Sequence, residues 1–319
     1  MQPITFAPVY LEHVWGGRAM ERVYGRVLPT PDRVYGESWE IVDRDPEQSV
    51  VDQGEFAGLS LHELWTQRRE AVFGAGFGEH PRFPLLFKVL DARADLSIQV
   101  HPPMPVIARL GGEPKAEMWY IAASQPGAKL YVGLKAGVSQ EDFEAAIRND
   151  TVAECVHVLT PQPGESIFIH MGRLHAIGAG MLIHEIQQNS DTTFRVFDWN
   201  RPGLDGKPRQ LHIAESLASI DFNDHTPSMD VPLGDTLAVC PYFKTTRHVL
   251  AAGDSIENPE AGRFSILVVV AGTLVSAAGR RFETGRCLLL PRDASPLSAQ
   301  QSASVLRVTL PVRDASCSG

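Results

Sequence analysis

Residues 163–178 read PGESIFIHMGRLHAIG. The alternation in ESIFIH predicts a strand with one buried face, Gly172 predicts a tight turn, and His175 opens the strand that follows. A lone histidine in a strand is more often a core or surface residue than a ligand, so its meaning depends on what the fold brings to it.

Residues 83–120, FPLLFKVLDARADLSIQVHPPMPVIARLGGEPKAEMWY, supply the companions. Gln99 and His101 are two apart, as are Lys115 and Glu117, and side chains at i and i+2 of a strand share a face. An unpaired polar side chain inside an apolar run such as LSIQVHPP costs about 1–3 kcal/mol, so a compensating partner is expected. Imidazole nitrogen, carboxylate oxygen and amide oxygen form a borderline donor set that suits zinc better than soft thiolate metals or calcium. With His175 as the next candidate, a ligand set without cysteine leaves room for water or substrate, which is the pattern of a catalytic site.

The remainder of the chain sets the frame. Its 319 residues suffice for about two domains. A hydrophobic share of 44% with 21% charged residues is that of an ordinary globular protein. The net charge of -9 and the lack of any Lys/Arg block argue against a nucleic-acid partner. No apolar run reaches membrane-span length and the N-terminus does not read as a signal peptide, so no membrane partner and a cytoplasmic location are expected. Cys155, Cys240, Cys287 and Cys317 show no paired spacing and read as free thiols.

In chain order, residues 3–45 read as short strands and turns, with Trp15 and Trp39 as core aromatics. Ser60 and Glu63 form a capping box for a helix in SLHELWTQRREAVFG that Gly74 ends, and Ser139 with Asp142 caps a second helix in QEDFEAAIRN. KLYVGLKAG, LIHEIQQNS and TTFRVFDWN read as strands, followed by a helix in RQLHIAESLASI. Residues 263–299 predict three or four further strands, and the tail VRDASCSG is expected to fray.

Gly164, His170, Gly172 and His175 resemble the cupin pattern G-x5-P-x-G-x2-H, with His170 in the place of proline. Gly285 and Pro291 open a second copy in which Pro296 replaces the ligand histidine. The implied fold is mainly β, two cupin-type jelly-roll barrels with a few short helices. The expected division is a metal-binding domain over 1–222 and a degenerate domain without metal over 223–319.

Further blocks resemble the short bacterial form of the type I mannose-6-phosphate isomerases, in that family's order: WGG at Trp15, GESWEI at Gly36, PLLFKVLDA at Pro84, LSIQVHP at Leu96, KAEMWY at Lys115 and QQNSDTTFRVFDWNR at Gln187. The resemblance implies one zinc ion per chain held by Gln99, His101, Glu117 and His175, with Lys115 and Arg195 as active-site cations. It implies a sugar phosphate as substrate and leaves oligomeric state open. The short interval from Glu117 to His175 has no room for the helical insertion of longer members. Val42 and Arg44 stand where the short members carry serine and histidine.

The residues add their own alternatives. Arg195 suits an enediolate or a phosphate, or an ion pair with Asp198 or Glu185. Lys115 suits a proton carrier or phosphate contact, or a solvated surface position. Ser97 and Lys88 are weaker candidates for substrate contacts, and Lys88 could instead snorkel outward. Rival readings are an isomerase of an unphosphorylated aldose, a sugar-sensing cupin without turnover, and an iron oxygenase, whose facial triad this donor set fits less well.

Overall fold

The alternation in residues 163–178 is realised as the strand Ser166–Ile169, a turn with Gly172 at φ 90°, and the strand His175–Ile177. The structure, a computed structural model, describes residues 1–77 and 80–311. Cys317 and the tail expected to fray lie outside the described residues.

The chain divides into two units, one formed by Met1–Val9, Trp39–Leu86 and Val231–Gly319, the other by Tyr10–Ser38 and Phe87–Asp230. This division draws on three stretches for the first unit, unlike the sequential split at residue 222.

The unit containing Phe87–Asp230 is built on two sheets. One has the order Val9–Leu11, Glu37–Ile41, Leu85–Ala92, Met181–Gln188, Glu117–Ser124, Ser166–Ile169. The other runs Phe194–Phe197, Ile98–Val100, His175–Ile177, Leu130–Leu134, Val156–Leu159. Leu90, Trp119, Ile121, Ile167 and Ile183 of the first sheet share one core with Leu130, Val132 and Ile177 of the second. Period-2 alternation explains what each strand contributes. Ile98, Val100, Ala176 and Val196 face the opposite way, into a second core closed by helices Gln140–Arg148 and Ile213–Ser219. Gln99, His175 and Arg195 therefore occupy the inner face. The same parity puts Lys88 beside Leu90, Glu117 beside Trp119 and Glu185 beside Ile183, so the inner faces are apolar at one end and polar at the other.

The other unit holds the C-terminal sheets, in the orders Thr236–Val239, Lys244–Leu250, Ala303–Thr309, Ser265–Ala271, Cys287–Leu290 and Ser255–Ile256, Leu297–Ala299, Thr273–Val275, Arg281–Glu283. Leu267, Val269, Leu288, Leu290, Leu297 and Val305 fill the space between them. Residues 263–299 thus give five strands rather than three or four, because Gly272, at φ 80°, turns the chain between Ser265–Ala271 and Thr273–Val275, which read as a single run. Trp65, Phe73, Phe77 and Phe83 pack edge-on or tilted around Phe264 and one another.

Both capping boxes form as expected, at Ser60 with Glu63 and at Ser139 with Asp142. The first helix breaks at Arg68 into Leu61–Gln67 and Arg69–Val72. Three helices depart from the sequence reading, the short Val152–Cys155 among them. Ala19–Tyr24 lies in a segment expected to hold strands and turns, and Met104–Leu110 interrupts the block 83–120. At Met104–Leu110, Pro103 and Pro105, which look like strand breakers, serve as N-cap and early-turn residues. No helix among the described residues is long and apolar enough to cross a membrane. Cys155, Cys240 and Cys287 are free thiols.

Candidate metal centre and cavity

Four side chains meet at the polar end of the inner faces. Gln99 sits mid-strand in Ile98–Val100 and pairs in register with His175 on one side and Arg195 on the other. His101 lies one residue past the strand end, where its carbonyl accepts the Gly172 amide at 2.8 Å. Lys115 precedes the strand that Glu117 begins. The i, i+2 argument is thus carried partly by strand termini, and the side chains converge all the same.

His101, Glu117 and His175 offer ligand atoms that lie within 4.8 Å of one another, all three residues buried. His101 Nε2 is 3.4 Å from Glu117 Oε2, and His175 Nε2 is 3.7 Å from Glu117 Oε1. A backbone carbonyl can only accept, so the carbonyls of Thr192, 2.9 Å from His101 Nδ1, and of Arg173, 2.8 Å from His175 Nδ1, place a proton on each Nδ1. Both Nε2 lone pairs then point inward, the arrangement metal-bound imidazoles use. The Gln99 amide closes the set, 3.3 Å from His175 Nε2, and also takes the Ser97 hydroxyl at 3.3 Å.

His101 Nε2 and both Glu117 oxygens are buried without a hydrogen bond. Leaving such atoms unsatisfied costs about 1–3 kcal/mol each, more for a charge. A divalent cation satisfies all of them, so the residues fit a metal. Burial, followed by the Lys115 charge, keeps His101 below its ordinary pKa, and burial with His101 alongside takes His175 down to about 3. Burial works against the Glu117 charge, but Lys115 and His101 hold its carboxyl below the ordinary range. At neutral pH the cluster is two neutral imidazoles and one carboxylate.

A cavity of about 260 Å³ opens beside the cluster, lined among others by Gln99, His175, Lys115, Lys88, Ser97 and Arg195. Lys115, Lys88, Ser97 and Arg195, the non-ligand candidates for catalysis and substrate contact, are all on its wall. Lys115 is buried with Nζ 3.3 Å from Glu117 Oε2, which removes the surface-lysine alternative. Lys88 points inward, 3.2 Å from Glu37 Oε2 and 3.5 Å from Glu185 Oε1, rather than snorkelling. Burial opposes its charge, but Glu37 and Glu185 raise its pKa and keep it an ammonium. Arg195 makes no ion pair among the described residues, and Asp198 binds Arg201 and Arg209 instead. The Arg195 Nε donates to Ser97 Oγ at 3.2 Å and an outer nitrogen to the Gln210 carbonyl at 2.9 Å.

The wall also carries Glu37, Glu185, Asp191, Arg209, His13 and Trp15, to which the sequence reading gave no role there. Trp15 is a core aromatic, as expected, and a wall residue as well. Glu37 and Asp191 lie in the blocks GESWEI and QNSDTT, so their positions carried a signal. Nothing local distinguishes His13 or Arg209. Burial and then Glu117 push the Glu185 carboxyl up, and its second oxygen accepts the Trp119 indole N–H at 3.0 Å. Val42 is buried against Ser49 in the unit containing Trp39–Leu86, and neither Val42 nor Arg44 is among the cavity residues.

Comparison with known proteins finds relatives over most of the chain. A family model described as phosphomannose isomerase type I, catalytic domain, matches residues 4–111. The mannose-6-phosphate isomerase ManA of Bacillus subtilis is 34% identical over 302 residues, covering 91% of this chain and 93% of that protein. The crystal structure of the mannose 6-phosphate isomerase from Bacillus subtilis superposes with a TM-score of 0.83 at 28% identity, covering 97% of this chain and 100% of that one. A mannose 6-phosphate isomerase bound with zinc and yttrium shares the fold, with a TM-score of 0.74 at 18% identity over 97% of this chain and 100% of that one.

Proposed function

The chain belongs to the type I mannose-6-phosphate isomerase family, and on that footing we propose how its residues divide the work. The protein is an aldose-ketose isomerase that interconverts mannose 6-phosphate and fructose 6-phosphate through an enediol. Zinc, one ion per chain, is the metal we assign to Gln99, His101, Glu117 and His175. The support is the donor set, two imidazoles with oxygen ligands, together with the zinc-bound relative. Bound there, the metal supplies Lewis-acid stabilisation of oxygen charge on the sugar.

The remaining steps belong to side chains. Arg201 and Arg209 both pair with the single carboxylate of Asp198, and burial, then the Arg209 charge, lowers the pKa of the nearby Arg195. Such a cluster carries surplus positive charge that an anion relieves, which favours a phosphorylated sugar over a neutral one. Arg195 binds phosphate or enediolate oxygen, steadied by Ser97. Lys115 donates to a sugar oxygen beside the metal. Glu185, its carboxyl made more basic by burial, takes the C2 proton and returns it to C1, with Lys88 neutralising its charge. To the C-terminal domain, from residue 223 onward, we assign no metal. A phosphorylated sugar does not cross a membrane unaided, so we place the enzyme in the cytoplasm.

The observation that carries this reading is the meeting, in one cavity, of buried ligand atoms without hydrogen bonds and the cations Lys88, Lys115, Arg195 and Arg209. A coupled assay for fructose 6-phosphate, before and after chelation and with zinc restored, tests it. Activity is expected to vanish and return, and activity that survives complete metal removal sinks it. Arg195→Ala is expected to retain stoichiometric zinc and lose about 10²–10³-fold in kcat; near-normal kinetics would give Arg195 a structural role.

A further inference from the structure

A line of polar groups runs along the cavity wall from His13 to Glu185. His13 Nε2 lies 3.3 Å from Glu37 Oε1, Glu37 Oε2 lies 3.2 Å from Lys88 Nζ, and Lys88 Nζ lies 3.5 Å from Glu185 Oε1. Side-chain exposure falls along this line, from 29% at His13 and 15% at Glu37 to 5% at Lys88 and at Glu185. One end is wet and the other is dry.

The histidine is held in place by design of its neighbours. Its ring lies flat on Trp15, with centroids 4.7 Å apart and planes 8° from parallel. At Gly36 a Cβ would stand 2.7 Å from His13 Cβ and from two ring carbons of Trp15, so the stack exists because that position is glycine. His13 Nε2 is buried and makes no hydrogen bond, although the Glu37 carboxylate is beside it. The residue also lines a second cavity of about 240 Å³, where Arg209 and Asp205 are the charged neighbours. An imidazole that faces a carboxylate with one nitrogen, and keeps the other unengaged, can accept a proton at one and release a proton from the other.

We infer that His13 is the positioning residue through which the proton taken up by Glu185 exchanges with water. The inference rests on the isomerase reading. In turnover the C2–H bond breaks, its electron pair forms the C1–C2 double bond while the C1=O π pair moves onto O1 to give the enediolate, and the proton goes to Glu185. From there Lys88 accepts it while passing one of its own protons to Glu37. Glu37 protonates His13, and His13 releases the proton on its other nitrogen to water. A solvent deuteron returns by the reverse sequence and Glu185 delivers it to C1: the C1–C2 π pair forms the C1–D bond, the O2–H pair becomes the C2=O π bond, and the O2 proton passes to O1. One proton leaves and one deuteron enters, so the charge of the line is unchanged.

The test is conversion of mannose 6-phosphate in heavy water by the zinc-loaded enzyme, with deuterium at C1 of fructose 6-phosphate read by mass spectrometry. The wild type is expected to show partial labelling. His13→Phe keeps the stacked ring and removes both nitrogens. Its label per turnover is expected to fall several-fold, with a smaller loss in kcat. His13→Ala serves if the Phe variant does not fold, and added imidazole is expected to raise its label. Unlabelled wild-type product, or variants that turn over with wild-type labelling, would overturn the inference and leave the isomerase reading standing. A wild type that makes no fructose 6-phosphate would overturn both.

Discussion

The two glycine-led turns of this chain share a plan and differ in outcome. After Gly164 the strand Ser166–Ile169 turns at Gly172 and delivers a buried His175. After Gly285 the strand Cys287–Leu290 turns toward Leu297–Ala299, and the position matching the histidine is Pro296, exposed to solvent. The inner faces differ in the same sense. Leu267, Val269, Leu288, Leu290 and Leu297 make the C-terminal interior apolar, whereas Lys88, Gln99, Glu117, His175 and Glu185 stand at one end of the other. A double-sheet core becomes a site by exchanging a few inner-face positions for polar ones, and the exchange is tolerated where a metal and a substrate satisfy them.

The contrast is open to attack at its strongest point first. Glu117→Ala removes the carboxylate shared by both histidines, and is expected to abolish metal binding and turnover together in elemental analysis and the coupled assay. Stoichiometric zinc in that variant would mean either that Glu117 is no ligand or that the C-terminal unit binds metal after all. The converse change, Leu288→Ala, opens a void in the apolar interior and is expected to cost about 2–5 kcal/mol in chemical unfolding. Metal stoichiometry should stay that of the wild type, and a loss of zinc from folded Leu288→Ala protein would break the separation.

The smallest effect concerns acid. His184, buried with Nε2 2.8 Å from the Tyr24 hydroxyl, falls from the ordinary 6.5 to about 3 because burial, and then the Arg26 charge, disfavour its cation. Above pH 6.5 both folded and unfolded chains are neutral there and nothing is lost. As pH drops from 6.5 toward 3 the unfolded chain gains a proton that the folded one refuses, so stability falls by about 1.4 kcal/mol per pH unit from this group. His184→Gln is expected to flatten that slope in unfolding curves taken at pH 7 and pH 5, and an unchanged slope would assign the acid sensitivity to other groups.

Much of this was readable beforehand because it is local. Each capping box is a four-residue signal, and Ser60 and Ser139 behaved as their spacing said. Gln99, His101, Glu117 and His175 stood out because polar side chains in apolar strands need partners. Helix Met104–Leu110 was missed because prolines at a helix start look the same as prolines that break strands. His13 and Arg209 were missed because their significance comes from which residues they face.

The sequence by itself determined the alternation of inward and outward side chains, the two helix caps, the donor types and the family. It could do so because strand parity and capping act over a few residues. The tertiary structure alone decided that Lys88 turns inward between Glu37 and Glu185, that Asp198 takes Arg201 and Arg209 and leaves Arg195 to the cavity, and that His13 lies against Trp15. Those outcomes follow from which carboxylate is nearest once strands far apart in the chain are paired, and desolvation then makes each such pairing costly to undo.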